Sequence, residues 1–153
     1  MKNTKNKQPI YCDMDGVLAD FNGATDAVKR FKTEKGFFKK LKPLKKNVKA
    51  IKKLLADGKR QVFIISASPH KDADGDKIAW LKKYLPTLTE GDIILVRLGD
   101  NKMEHMKTPD GVLFDDYSRN LIQWDGRLRN KSVKISADGD IQKYLDSEWA
   151  TDF

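Results

Sequence analysis

The sequence predicts an α/β fold, a parallel sheet of about five strands with helices on both faces. Three observations predict it. Short apolar segments alternate with longer segments of helical spacing, the short ones stop abruptly in polar or glycine-containing loops, and those loops carry most of the chemically capable side chains. The first strand is read over residues 9–12, a short apolar run that ends at DMDGV, as a buried parallel strand does when it runs out into a loop. Leu44, Val48, Ile51 and Leu55 then follow helical spacing, and Gly58 closes that helix before QVFII, a second strand rich in β-branched residues. Ile78, Leu81 and Leu85 mark the next helix. The strand DIILV follows, then a loop, the strand VLF ending at Asp115, a helix through Trp124 and a strand near VKIS. Ligands of such sheets bind beyond the carboxyl ends of the strands. The loops after Cys12, Ile65, Val96 and Phe114 should therefore converge, bringing together Asp13, Asp15, Ser66, Lys102, Asp115 and Asp116.

A length of 153 residues suits one domain, assigned here to residues 9–153, behind a basic tail over residues 1–8 that is expected to be disordered. No stretch approaches the roughly 20 apolar residues of a membrane span. The basic start has no apolar core behind it, so it is not read as a secretion signal. A lone cysteine, Cys12, excludes an internal disulfide and fits a reducing cytoplasm. The net charge of +8 is uneven: residues 29–60 hold 14 Lys or Arg against Glu34 and Asp57, so that segment carries +12 and the remainder −4. Such a segment suits an anionic partner, a nucleotide or a nucleic acid, or else is a solvated helix face.

The residues expected at the strand ends are those that phosphoryl transfer through an aspartyl phosphate needs. A carboxylate such as Asp13 can attack phosphorus if a cation offsets its repulsion from the phosphate, and the hard oxygens of Asp13 and Asp116 favour Mg2+. Asp15, followed by Gly16 for a tight turn, can protonate the leaving oxygen and later deprotonate water. Ser66 suits phosphate binding, and Lys102 suits neutralising the charge shared by phosphate and nucleophile.

At these positions the chain resembles the haloacid dehalogenase-like hydrolases, with their three-layer Rossmann-like fold. IYCDMDGVLADF is similar to the first motif of that superfamily, VFIIS to the second, Lys102 in LGDNKMEHM to the third and VLFDDYSRN to the fourth, all in order. Their spacing is 51 residues from Asp15 to Ser66, 36 to Lys102 and 14 to Asp116, which leaves room for helices between strands. The resemblance implies that Asp13 is the nucleophile and a metal ligand, that Asp15 is the acid/base and binds Mg2+ through its backbone carbonyl, that Asp116 is the second carboxylate ligand, and that Asp115 supports the ligands from behind. Within the superfamily the phrases DMDGVLADF, GFFKKLKPLKKNVKAIKKL and DDYSRNLIQW resemble the 5'(3')-deoxyribonucleotidases of the cytosolic type C group and their bacterial and phage relatives, over about residues 9–136. That implies a phosphoric monoester hydrolase acting on nucleoside monophosphates. Two features depart from the pattern. Only 16 residues separate Asp20 from Phe37, so the cap over residues 21–43 is reduced, and SASP is one residue longer than the usual TSP, which leaves Ser68 as a rival to Ser66.

Some assignments have competitors. Lys107 lies five residues beyond Lys102 and could take its place. Phe21, Phe37 and Phe38 are the aromatic candidates for holding a base, the paired phenylalanines being equally suited to anchoring a loop in the core. The acidic run at residues 72–76 lacks the glycine and final glutamate of a calcium loop. His70 and His105 have no metal-ligand spacing and are read as surface residues, while Cys12 is read as buried. A phosphatase of nucleic-acid ends, using the basic segment as a track, and a non-catalytic nucleic-acid or protein-binding module are the alternative functions.

Overall fold

A computed structural model describes residues 7–126, 129–136 and 139–151. The strands are β1 (Ile10–Cys12), β2 (Val62–Ser68), β3 (Ile93–Arg97), β4 (Val112–Asp115) and β5 (Lys131–Lys134). All pairings are parallel and the order is β3-β2-β1-β4-β5. The chain leaves β1 toward β2 and β3 on one side, and returns to place β4 and β5 on the other. The point where the order reverses therefore falls between β1 and β4, where ligands of open α/β sheets bind.

The helices are α1 (Ala27–Arg30), α2 (Lys45–Asp57), α3 (Lys71–Tyr84), α4 (Ser118–Trp124) and α5 (Asp140–Thr151). One face of the sheet, with Ile10, Cys12, Ile64 and Phe114, packs against Val48 and Ile51 of α2, Trp80 and Leu81 of α3, and Ile141 of α5. The other, with Tyr11, Phe63, Ile65 and Leu113, packs against Trp124 of α4 and the segment carrying Met103 and Met106. The expected three-layer arrangement is thus present. Helix α2 forms where expected: Val48 and Ile51 turn inward while its lysines face out, and Gly58 (φ 67°) ends it in a left-handed conformation that a side chain would strain.

Three details differ from the reading of the sequence. Strand β2 does not stop at Ile65 but continues to Ser68, because Ser66, Ala67 and Ser68 pair with Leu95, Val96 and Arg97 of β3. Strand β5 begins two residues before VKIS. Helix α5 was not anticipated, although Ile141, Tyr144 and Leu145 carry its apolar spacing against the core. Residues 1–6 of the expected tail lie outside the described residues. Gln8 is held, its amide donating to the Asp110 and Arg129 carbonyls at 2.6 and 2.5 Å.

The cap region contains only α1 and a 3-10 turn, Phe38–Lys40. Its turn is fastened to α3: the Trp80 indole N–H donates to the Leu41 carbonyl at 2.8 Å, and Lys39 approaches Asp76 at 3.8 Å. The acidic run at 72–76 lies in the first turns of α3, and the His70 ring caps that helix, Nδ1 accepting from the Ala73 N–H at 3.2 Å.

Candidate active site

Asp13 follows β1 and Asp115 ends β4, in adjacent strands whose register aligns Cys12 with Phe114, and the Asp13 N–H donates to the Phe114 carbonyl at 2.8 Å. Parallel pairing thus places two acidic strand ends side by side. Asp13, Asp115 and Asp116 present carboxylate oxygens within 4.8 Å of one another. Lys102, buried at the start of a 3-10 turn, donates to Asp13 Oδ1 at 3.0 Å and to Asp115 Oδ2 at 2.8 Å. Burial works against the lysine's charge, but the two carboxylates outweigh it and hold the ammonium above its ordinary value. Burial, with Asp115 next, pushes the Asp13 carboxyl well above the usual range in spite of Lys102, and burial with Asp115 also raises Asp116. Gly16 (φ 82°) allows this crowding, since a Cβ there would lie 2.0 Å from Asp116 Oδ2.

This donor set fits Mg2+. Its ligand atoms are hard carboxylate oxygens, they converge without an equal number of cations, and their mutual repulsion is what a divalent ion removes. The acidic pair divides the work. Asp115 is fully buried and committed: Oδ1 accepts from the Tyr117 N–H at 2.9 Å, and Oδ2 accepts from Asn120 at 3.1 Å as well as from Lys102. Asp116 is only partly buried and its carboxylate accepts from none of these groups. Asp116→Asn is therefore expected to keep its fold and raise the magnesium concentration needed for half-maximal activity. Asp115→Asn should instead lower the melting temperature, because it breaks a buried ionic network. Magnesium titration and thermal melting of the two variants check the division.

The remaining candidates are distributed as follows. Lys107 is excluded from the site, because its ammonium reaches the Gly91 carbonyl before β3 and its backbone N–H donates to Tyr11. Ser66 and Ser68 are both fully buried on the same face of β2. The Ser66 hydroxyl accepts from Lys77 at 2.8 Å and retains its own hydrogen to donate, whereas Ser68 donates to the His70 carbonyl at 3.3 Å. Asp15 Oδ2 accepts from Lys77 at 2.6 Å, and Oδ1 is buried with no hydrogen-bond partner. A buried acceptor left unpaired is uncommon and costs stability, as residues kept for chemistry often do.

The paired aromatics are not open to a base. Phe37 and Phe38 are 1% and 2% exposed, stand edge-to-face at 5.1 Å, and Phe21 joins them at 5.8 Å from Phe37. Phe37 and Phe38 anchor the cap, and the stacking expected of them is corrected accordingly, whereas Phe21 is only partly buried. Two residues of interest escaped the reading of the sequence. Lys77 lies within a lysine-rich helix, and only its full burial distinguishes it. Tyr117 directly follows the acidic pair and is 57% exposed, an aromatic beside the site whose one signal in the sequence is that adjacency. Cys12 is buried as expected, with burial pushing its thiol upward.

The sequence matches the family described as 5' nucleotidase, deoxy (pyrimidine), cytosolic type C protein, over residues 24–138. That stretch includes Ser66, Lys77, Lys102, Asp115 and Asp116, and begins after Asp13 and Asp15. No curated protein is matched by the sequence. Among solved structures, a chain of one described as "Structure of Pnkp1/Rnl/Hen1 complex" is similar in fold, with a TM-score of 0.62 at 16% identity. The likeness covers 84% of this chain but 45% of that one, so the protein spans less than half the length of that solved chain. The family match spans well over half of the sequence, and the sheet order and acidic strand ends agree with it: the chain belongs to the cytosolic type C 5'-nucleotidase family of the haloacid dehalogenase-like superfamily.

Proposed function

We propose that the protein is a magnesium-dependent phosphomonoesterase that hydrolyses nucleoside monophosphates through an aspartyl phosphate on Asp13. The observation that carries this reading is the convergence of Asp13, Asp115 and Asp116 around Lys102 at the reversal point of the sheet. Asp13 Oδ1 is engaged by Lys102, which leaves Oδ2 to attack phosphorus. As the Asp13–phosphorus bond forms and the ester bond breaks, Asp15 gives a proton to the departing oxygen. Asp15 then takes a proton from water, which attacks phosphorus, breaks the acyl phosphate and frees Asp13 and inorganic phosphate. Asp13, Asp116 and the Asp15 carbonyl would hold Mg2+, which would supply charge neutralisation between nucleophile and phosphate. Lys102 offsets the negative charge shared by Asp13 and the phosphate, and Ser66 offers its remaining hydrogen to a phosphate oxygen. The family's cytosolic character suits a cytoplasmic enzyme, and among the described residues no helix is long and apolar enough to cross a membrane.

Release of phosphate from nucleoside monophosphates with magnesium, and its loss in excess chelator, tests the reading. Full activity in chelator sinks the metal role. With Phe37 and Phe38 buried, the exposed Tyr117 beside the acidic pair is proposed to stack on a base. Base stacking is worth about 1–3 kcal/mol, so Tyr117→Ala should raise KM for nucleotides roughly five- to hundredfold. Hydrolysis of p-nitrophenyl phosphate, which has no base, should keep its KM. Equal effects on both substrates would remove Tyr117 from substrate recognition.

One observation favours a second reading, hydrolysis of phosphorylated nucleic-acid ends. A shallow groove of about 610 Å³ with an apolar floor of Pro43, Val48 and Ala56 is flanked by Lys45, Lys49, Lys52, Lys53 and Tyr84, and none of these lysines is in an ion pair among the described residues. A phosphate backbone suits such a groove. Preference for phosphorylated oligonucleotides over mononucleotides, abolished by replacing Lys49 and Lys52, would establish that alternative.

A further inference from the structure

Lys77 is wholly buried in the middle of α3, where a lysine persists only if its charge is met. All three ammonium hydrogens are used: on Asp15 Oδ2 at 2.6 Å, Ser66 Oγ at 2.8 Å and the Ala67 carbonyl at 2.7 Å. The remaining side is closed by the ring of Phe38, whose centroid is 4.3 Å from Nζ. Phe38 belongs to the cap turn, which Trp80 and Leu41 tie to the same helix. A continuous set of contacts thus runs from the cap through Lys77 to Asp15.

The direction of this contact matters. Asp15 is two residues from Asp13, yet its carboxylate is outside the group of Asp13, Asp115 and Asp116 that converges within 4.8 Å. Lys77 draws it away from that group, toward β2 and α3. An aspartate in a turn, 22% exposed, has more than one staggered rotamer to occupy, and only one aimed at the leaving oxygen can serve it. From these contacts we propose that Lys77 is a positioning residue for Asp15. It fixes the carboxylate for proton transfer, and Phe38 makes that anchor rigid by excluding water. The cap in this view is a fixed wall that supports the acid/base. The proposal rests on the reading of Asp15 as acid/base given above.

The test compares kcat/KM, which covers steps up to departure of the leaving group, for two esters in the full chain. An alkyl phosphate such as a nucleoside 5'-monophosphate needs a proton on its leaving oxygen, and p-nitrophenyl phosphate does not. Lys77→Met should lower kcat/KM at least tenfold for the alkyl ester, within the range of about 10²–10⁴ that acid/base help supplies, and less than threefold for p-nitrophenyl phosphate. In an Asp15→Asn background the same substitution should cost no more than twofold on the alkyl ester. Lys77→Arg, which keeps the buried charge but replaces three radial donors by a planar fork, should show the same ratio between esters even if the methionine variant melts early. Equal losses on both esters, or full multiplication with Asp15→Asn, would overturn the proposal and leave Lys77 a structural cation. Wild-type protein inert toward both esters would instead remove the phosphatase reading.

Discussion

Replacing Asp13 by Asn is expected to abolish turnover, by about 10⁴-fold or more, while the protein folds normally. The amide is nearly isosteric, but it is a very poor nucleophile and a weaker magnesium ligand. The fold should tolerate it because Lys102 retains Asp115 as a partner at 2.8 Å. The variant should even gain stability in chelator, since Asp13 is held well above the usual carboxylate range by burial and by Asp115. A carboxyl raised in the folded state opposes folding once the pH is high enough to ionise it. Removing it relieves that cost at neutral pH and leaves stability unchanged near pH 3, where the unfolded carboxyl is also protonated. Phosphate release and melting temperature against pH, both without metal, check the two halves. A near-normal rate would end the nucleophile assignment.

Lys102→Met should be the most destabilising single change at the site. It leaves Asp13 and Asp115 facing each other in the interior without a cation, and removing one partner of a buried ionic network typically costs about 3–5 kcal/mol. For a chain of this size that is roughly 6–20 °C in melting temperature. Lys102 lowers the pKa of Asp13, so its loss moves that carboxyl further up. The deficit is therefore largest at neutral pH and shrinks as the pH falls and the raised Asp13 carboxyl protonates. Magnesium should restore part of the lost stability, because the cation replaces some of the missing charge. A variant that melts like the wild type at every pH would show that Lys102 is not the counter-ion of the cluster. Activity should be lost whether or not magnesium restores the fold, since in the proposed mechanism Lys102 also offsets the negative charge shared by Asp13 and the phosphate.

The sequence by itself determined the layered α/β class, all five strands within two residues at their starts, and Asp13, Lys102, Asp115 and Asp116 as neighbours at one edge of the sheet. Those features are local: the period of apolar residues sets the elements, and a polar residue directly after a buried strand has no place except the sheet's carboxyl edge. Helix α5 carries the same kind of local signal in Ile141, Tyr144 and Leu145. What only the tertiary structure decided were choices among chemically equal residues. Lys102 and Lys107 are indistinguishable by type and nearly so by position, and they part because one turn aims Nζ at Asp13 while the other reaches Gly91. Phe38 could equally have faced solvent or core, and it is buried because the shortened cap packs its turn on α3. Lys77 is one of many lysines on a helix, and its charge is met by Asp15, 62 positions earlier in the chain. Burial and charge pairing are properties of residues distant in sequence, so no spacing rule along one strand or helix reveals them; they appear only when the sheet brings β1, β2 and α3 together.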